Sequence, residues 1–189
     1  MKAFPYLLFA LSISAVIACG CSDQHHNAIP RPTAYPRLEI TADSIGQPAA
    51  IETTAFRINR QAKFDLDSAN SLWANIVYPA SLGATAHISL SYPDNFDAAI
   101  ANRQKRFALN LADAPATSEE FLIGAWECVL VYSNRPSLTT PVQFYAANPD
   151  GRFISGAVAL KNPGNNADSI APLVALLRDD MRTLLFSLQ

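Results

Sequence analysis

Two thiols open the chemical reading. Cys19 and Cys21 close an apolar N-terminal run in the order Val16-Ile17-Ala18-Cys19-Gly20-Cys21. A branched apolar residue, two small ones and a cysteine are what a lipoprotein peptidase needs. The chain enters the enzyme extended, and the thiol carries a diacylglycerol thioether. Cys19 has the better apolar residue at the third position before it and is the preferred anchor. Cys21 has Gly20 before it and Ser22-Asp23 after it, and is the alternative. Lys2 followed by apolar residues up to Ala18 completes the pattern of an export signal. That run is short of the ~20 apolar residues that span a bilayer. The chain is therefore expected to sit on a membrane through palmitate-type acyl chains. Each buried methylene contributes about 0.8 kcal/mol. The expected division is a signal at residues 1–18, a lipidated tether at 19–33 and one globular domain at 34–189.

Other chemistry is sparse. The sequence holds three cysteines and three histidines in 189 residues. His25 and His26 fall in the polar, proline-bearing tether, with no further ligand at a fixed spacing, so no metal site is expected. His87 is the one histidine of the domain and shares a strand face with Ser89 and Ser91. Side chains in such a row project in parallel, which is poor geometry for a nucleophile and its base. The chain has no Gly-x-Ser-x-Gly elbow, phosphate-binding glycine loop, His-Glu-x-x-His or Cys-x-x-Cys. Asp179-Asp180 and Glu119-Glu120 read as solvated surface charge. No catalytic set and no cofactor are expected. Cys128 has no obvious partner, so the fold should not depend on a disulfide. The net charge of −2 comes without a basic run, which makes nucleic acid an unsuitable partner.

These residues need elements to position them. Half the residues are apolar and 16% are charged, enough for a substantial core. A brief strand is expected over 37–40, a loop over 42–50, and strands over 54–60 and 73–78. Residues 84–92 alternate most clearly, with Ala86, Ile88, Leu90 and Tyr92 on one face. Asp94 can cap a helix carrying Phe96, Ile100, Arg103, Phe107 and Leu111 at helical spacing. Residues 112–118 break that pattern, and 121–132 suit one or two strands. Asn148-Pro149-Asp150-Gly151 predicts a hairpin between 142–146 and 153–160. The last helix should start at Asp168 or Ser169, with Pro172 in its first turn. Its apolar stripe runs from Ile170 through Leu177, Met181 and Leu184 to Leu188. The fold class is α+β: a mainly antiparallel sheet packed by two principal helices.

The order of motifs resembles the gliding-motility lipoprotein GldD family of Bacteroidota. After the lipobox comes Pro30-Arg31-Pro32-Thr33-Ala34-Tyr35-Pro36-Arg37-Leu38, similar to the family's proline-rich lead into a strand. Trp73-Ala74-Asn75-Ile76-Val77-Tyr78-Pro79 and Ile88-Ser89-Leu90-Ser91-Tyr92 follow in the family's order. Pro141-Val142-Gln143-Phe144-Tyr145 and Phe153-Ile154-Ser155-Gly156-Ala157-Val158 resemble its two late strands. Pro163, Asn165, Asp168-Ser169, Ala171-Pro172 and Asp179 resemble its last helix start. Two features depart from the family: Ala147-Asn148-Pro149 replaces a Thr-Asp-Ser turn, and Arg103-Gln104-Lys105-Arg106 stands where a Lys-His pair is usual. The element order is also similar to the PsbP/Mog1-like fold, by analogy only.

The resemblance implies an accessory, non-enzymatic role in gliding motility and type IX secretion. It implies a lipid-anchored place in the cell envelope, facing the periplasm, with other envelope proteins of that machinery as partners. Arg37, Asn75, Tyr78, Gln143, Tyr145 and Arg152 are the expected interaction surface. A tethered binding domain for a small ligand or an envelope glycan is the alternative, with Arg152, Tyr145 and Trp126 as its lining. Metabolic labelling with a palmitate analogue decides the anchor: labelling should vanish in Cys19→Ala and persist in Cys21→Ala. The reverse result moves the anchor to Cys21.

Overall fold

A computed structural model describes residues 40–189. The signal, the tether with Cys19 and Cys21, and Arg37 lie outside the described residues. Of the strand expected over 37–40, only Ile40 is described; it is buried and irregular. In chain order the elements are β1 (Gln47–Ile51), β2 (Thr54–Ile58), β3 (Lys63–Leu66), β4 (Trp73–Val77), β5 (Ala84–Ser91) and α1 (Phe96–Leu111). Then come β6 (Thr117–Ile123), β7 (Trp126–Tyr132), β8 (Val142–Ala147), β9 (Phe153–Leu160) and α2 (Ala167–Phe186).

Seven strands form one sheet in the order β3-β4-β5-β9-β8-β7-β6, and every pairing is antiparallel. Strands β1 and β2 make a separate two-stranded hairpin. The α+β expectation with a mainly antiparallel sheet and two helices is what the chain adopts. In β5, Ala84, Ala86, Ile88 and Leu90 are buried while His87 and Ser91 face water. Tyr92 breaks the expected alternation: it lies past the strand, is half exposed, and donates its hydroxyl proton to Glu52 at 2.7 Å. The β8–β9 hairpin forms as expected. Its turn closes with the Asn148 N–H donating to the Arg152 carbonyl at 2.8 Å, and Gly151 takes φ +105° there.

Several boundaries differ from expectation, each for a local reason. The stretch expected to be a loop contains β1, in which Pro48 is tolerated because an edge strand can forgo one donor. Strand β3 was not foreseen: four mostly exposed residues at a sheet edge leave little periodicity to read. The apolar stretch at 121–132 resolves into two strands, the first beginning at Thr117. They join through a tight loop in which Gly124 takes φ +58°. Both helix caps move to asparagine. Asn95, not Asp94, accepts the Ala98 N–H at 2.9 Å, and Asn166 accepts the Asp168 N–H at 3.0 Å. The earlier start of α2 leaves Pro172 inside the helix, beyond the first turn.

Among the described residues the core has a main cluster on each face of the sheet and a small third one of Leu111, Ala114 and Leu138. Helix α2 and the β1–β2 hairpin cover one face, where Phe144, Ile154, Val158, Leu177, Leu184 and Leu185 are wholly buried. Such side chains each contribute about 1.5–3 kcal/mol. Helix α1 covers the other face, packing Phe96, Ile100 and Phe107 against Tyr145, Ala147 and Phe153. The two ends of the first layer are tied by backbone: Gln189 N–H donates to the Ala55 carbonyl at 3.0 Å, and Arg57 N–H to Ser187 Oγ at 2.7 Å.

One glycine sets the packing of the sheet's centre. Gly156 pairs with Ile88 on one side and Phe144 on the other. A Cβ at Gly156 would lie 2.5 Å from two atoms of the Phe144 ring and 3.0 Å from the His87 carbonyl oxygen. The ring occupies the space a side chain would need. Gly156→Ala should therefore destabilise the domain by about 1–3 kcal/mol, as overpacking does. Urea unfolding followed by circular dichroism measures it. An unchanged midpoint would show that the Phe144 ring moves aside freely.

Candidate functional site

Of the six residues expected to form an interaction surface, five are described, and three of these are buried. Tyr78, Gln143 and Tyr145 are all buried, at 4%, 0% and 6% exposure. They belong to the packing on two different faces of the sheet. Tyr145 stacks between Phe107 and Phe153 beneath α1, whereas Tyr78 lies in the core beneath α2. Gln143 accepts from Asn110 Nδ2 at 2.7 Å, which ties β8 to α1, and its own Nε2 is buried without a partner among the described residues. Asn75 is half-buried and takes His87 Nδ1 at 2.7 Å across β4 and β5. His87 is an exposed strand residue, as expected.

Arg152 also has a structural task. Its guanidinium lies 4.9 Å above the Trp126 ring, pairs with Asp150 at 2.7 Å, and donates to the Gln189 carbonyl at 2.9 Å. It thereby links the β8–β9 turn, β7 and the end of the chain. Trp126 is buried with the α2-side core, while Tyr145 lies on the α1 side. Arg152, Tyr145 and Trp126 are thus not brought together as the lining of one pocket. Cys128 is a free, buried thiol, and burial pushes its pKa up to about 12, far from a reactive thiolate.

Asp180 corrects the surface-charge expectation. It is 2% exposed. Both its oxygens accept from Asn59 Nδ2, at 2.9 and 3.1 Å, and Oδ1 also takes the Asp43 backbone N–H at 3.3 Å. Asn59 donates further to the Thr41 carbonyl at 3.0 Å and accepts the Gln61 N–H at 2.9 Å. Arg60 completes the cluster by pairing with Asp43 at 2.7 Å. Burial raises the Asp180 pKa, opposed by the Asn59 amide and the Asp43 N–H. The Arg60 side chain and N–H hold Asp43 well below the usual carboxylate range. Among the described residues the buried Tyr78 hydroxyl has no hydrogen-bond partner; burial first, then the Asp180 charge, push its pKa well up. A signal for this existed in the sequence: Asp180 is three residues after Leu177 and four before Leu184, on the apolar stripe itself.

An open feature lies elsewhere, between α1 and the β6–β7 hairpin. A groove of about 420 Å³ is lined there by Ile100, Gln104, Glu120, Leu122, Glu127 and Tyr145, among others. Glu120, Leu122 and Glu127 are exposed. Burial raises the Tyr145 pKa; Gln104 works against this, and the charges of Glu120 and Glu127 add to the rise. Glu119 points to the other face, where it pairs with Arg182. Of the two adjacent glutamates expected to be plain surface charge, one is committed to α2 and the other faces the groove. Among the described residues no cluster of metal-ligating side chains forms, and no helix is long and apolar enough to cross a membrane.

These observations define an α+β domain whose best-formed polar cluster is structural and whose groove is acidic. The chain belongs to the gliding motility lipoprotein GldD family, whose model matches residues 25–189. The resemblance carried by the sequence motifs is thereby confirmed, and the chain is associated with gliding motility and with anchoring at an envelope membrane. Comparison with curated proteins gives no match.

The Asp180 cluster makes a pH prediction. Its folded pKa lies above the ~3.9 of an unfolded aspartate. Folding then favours the neutral form, so this group's contribution is full below about pH 3.9 and is lost as pH rises through the folded pKa. Asn cannot titrate. The stability of Asp180→Asn relative to the native protein should rise with pH across that window. Asp43 titrates in the opposite sense in both proteins. Urea unfolding at a series of pH values measures the difference; a flat difference would contradict it.

Proposed function

We propose that the protein is a lipid-anchored, periplasm-facing accessory component of the gliding motility and type IX secretion machinery, acting through protein contacts and not through catalysis. The observation that carries this reading is the family match over residues 25–189. The disposition of reactive groups supports it. His87 pairs with Asn75 on an open strand face, Asp180 is bound by Asn59, and Cys128 is a buried neutral thiol. The acidic groove offers a surface for a partner, and the acyl anchor would hold it at the membrane.

A second reading keeps one observation in its favour. Trp73 is 57% exposed and shares the open sheet face with Asn75 and His87. An exposed indole beside neutral polar groups suits a sugar ring, which would make the domain a tethered glycan binder.

Crosslinking in intact cells, followed by purification of a C-terminally tagged protein and mass spectrometry, separates the two. Enrichment of gliding or type IX components, with loss of spreading and cargo export on gene deletion, is the expected result. Normal spreading and export in the deletion strain would overturn the contact reading. Recovery of glycan alone, lost in Trp73→Ala, would establish the second.

A further inference from the structure

Strand β6 is the last in the sheet, and among the described residues it pairs on one side only, with β7. Antiparallel pairing turns the N–H and C=O groups of alternate residues outward along such an edge. Proteins usually close an edge with proline, lysine, a bulge or short length. Strand β6 has no proline, lysine or bulge; its charges are Glu119, which Arg182 neutralises, and Glu120, which repels an acidic segment and leaves the edge open to a basic one. Its seven residues, Thr-Ser-Glu-Glu-Phe-Leu-Ile, keep an unbroken register from Thr117 opposite Tyr132 to Ile123 opposite Trp126. The other edge, β3, is four residues long and carries Lys63 and Asp65.

The two faces of β6 differ. On the α2 side Phe121 stacks on Phe186 with ring centroids 4.9 Å apart, and Glu119 is neutralised by Arg182. That face is finished. On the α1 side Glu120 and Leu122 stand beside the groove, with Leu122 71% exposed and Glu127 opposite it on β7. Both charges lining this groove are negative, and no lysine or arginine lines it. Among the described residues, a backbone edge without a neighbour, an exposed apolar side chain and two carboxylates outside any ion pair thus lie together.

We infer that β6 accepts an added strand from a protein partner whose groove-facing residues alternate, a lysine or arginine beside Glu120, its long side chain extending over the groove toward Glu127 on β7, and an apolar side chain beside Leu122. This rests on the protein-contact reading and specifies its surface. Main-chain hydrogen bonds supply the affinity of such strand addition, and the alternate side chains supply the choice. The carboxylates favour a cationic segment over an acidic one, which is where charge acts most in recognition.

The probe is a fluorescent octapeptide, Thr-Lys-Thr-Val-Thr-Lys-Thr-Val, in which the residues of one face alternate lysine and valine; it is titrated against the purified full-length lipoprotein in neutral detergent micelles. The same peptide with glutamate in place of lysine is the control. The lysine peptide should bind, and Glu120→Lys/Glu127→Lys should weaken it by about tenfold or more. Both residues are exposed, so the variant should keep its circular dichroism spectrum. Amide hydrogen exchange should slow along β6 and stay unchanged along β3. No binding, equal binding of both peptides, unaltered affinity in the double variant, or protection on β3 would each overturn the inference. In cells, a photocrosslinker at Leu122 should capture a basic segment of another protein, and the double variant should lose it. Capture of this chain's own residues 1–39, or of a second copy, would overturn it. A partner captured from other positions but not from Leu122 removes the β6 inference and leaves the contact reading standing. Capture from no position removes both.

Discussion

Every residue of strand β8 is buried, and that constraint determines the layers around it. Val142, Phe144 and Ala146 face α2, while Gln143, Tyr145 and Ala147 face α1. A strand without a wet face requires a cover on both sides, so neither helix is dispensable to it. The same constraint explains two details. Gln143 needs a polar partner from α1, and Asn110 supplies one for its Oε1, because an unpaired buried polar group costs about 1–3 kcal/mol. Phe144 needs room between strands, and Gly156 supplies that on the adjacent β9.

Asp180 is the polar counterpart of this apolar requirement. Helix α2 presents it inward among leucines, where a lone carboxylate would be strongly penalised. Its donors come from the segment that precedes and follows the β1–β2 hairpin: the Asp43 backbone and the Asn59 side chain. The requirement to solvate Asp180 therefore docks that segment onto α2. Arg60 then fixes Asp43, so the exposed ion pair serves the buried carboxylate. The internal carboxylate thus adds a polar tie to the apolar packing of Ile51, Phe56 and Ile58 and to the contacts of Ala55 and Arg57 with the end of the chain.

Legibility in the sequence followed the strength of local periodicity. Strand β5, the β8–β9 hairpin and α2 were readable because alternation or helical spacing persisted over many residues. Strand β3 and Pro48-bearing β1 lacked that length, and tertiary pairing decided them. The caps went to Asn95 and Asn166 because side-chain geometry, not the mere presence of an acidic residue, selects the N-cap. Asp180 was misassigned by its type when its phase placed it with Leu177 and Leu184. The site was less legible than the fold. The motif residues Tyr78, Gln143 and Tyr145, which carry the family resemblance, are packing residues. The residues of the acidic groove gave no motif; only the pairing of β6 with β7 and the placement of α1 bring Glu120 and Glu127 together.

An acyl anchor changes what strength such a surface needs. A partner held at the same membrane would meet this edge at a raised effective concentration, which for linked sites reaches about the millimolar level. A contact with a dissociation constant of roughly 0.1 mM, about −5.5 kcal/mol, is then largely occupied. A short strand addition with a few backbone hydrogen bonds, each worth about 0.5–1.5 kcal/mol net, falls in that regime. The exposed ion pairs would add less than about 1 kcal/mol each and would weaken with salt. A strong, apolar interface is not required of a domain that the lipid already delivers to its place. A modest, charge-selective edge is enough for such a contact.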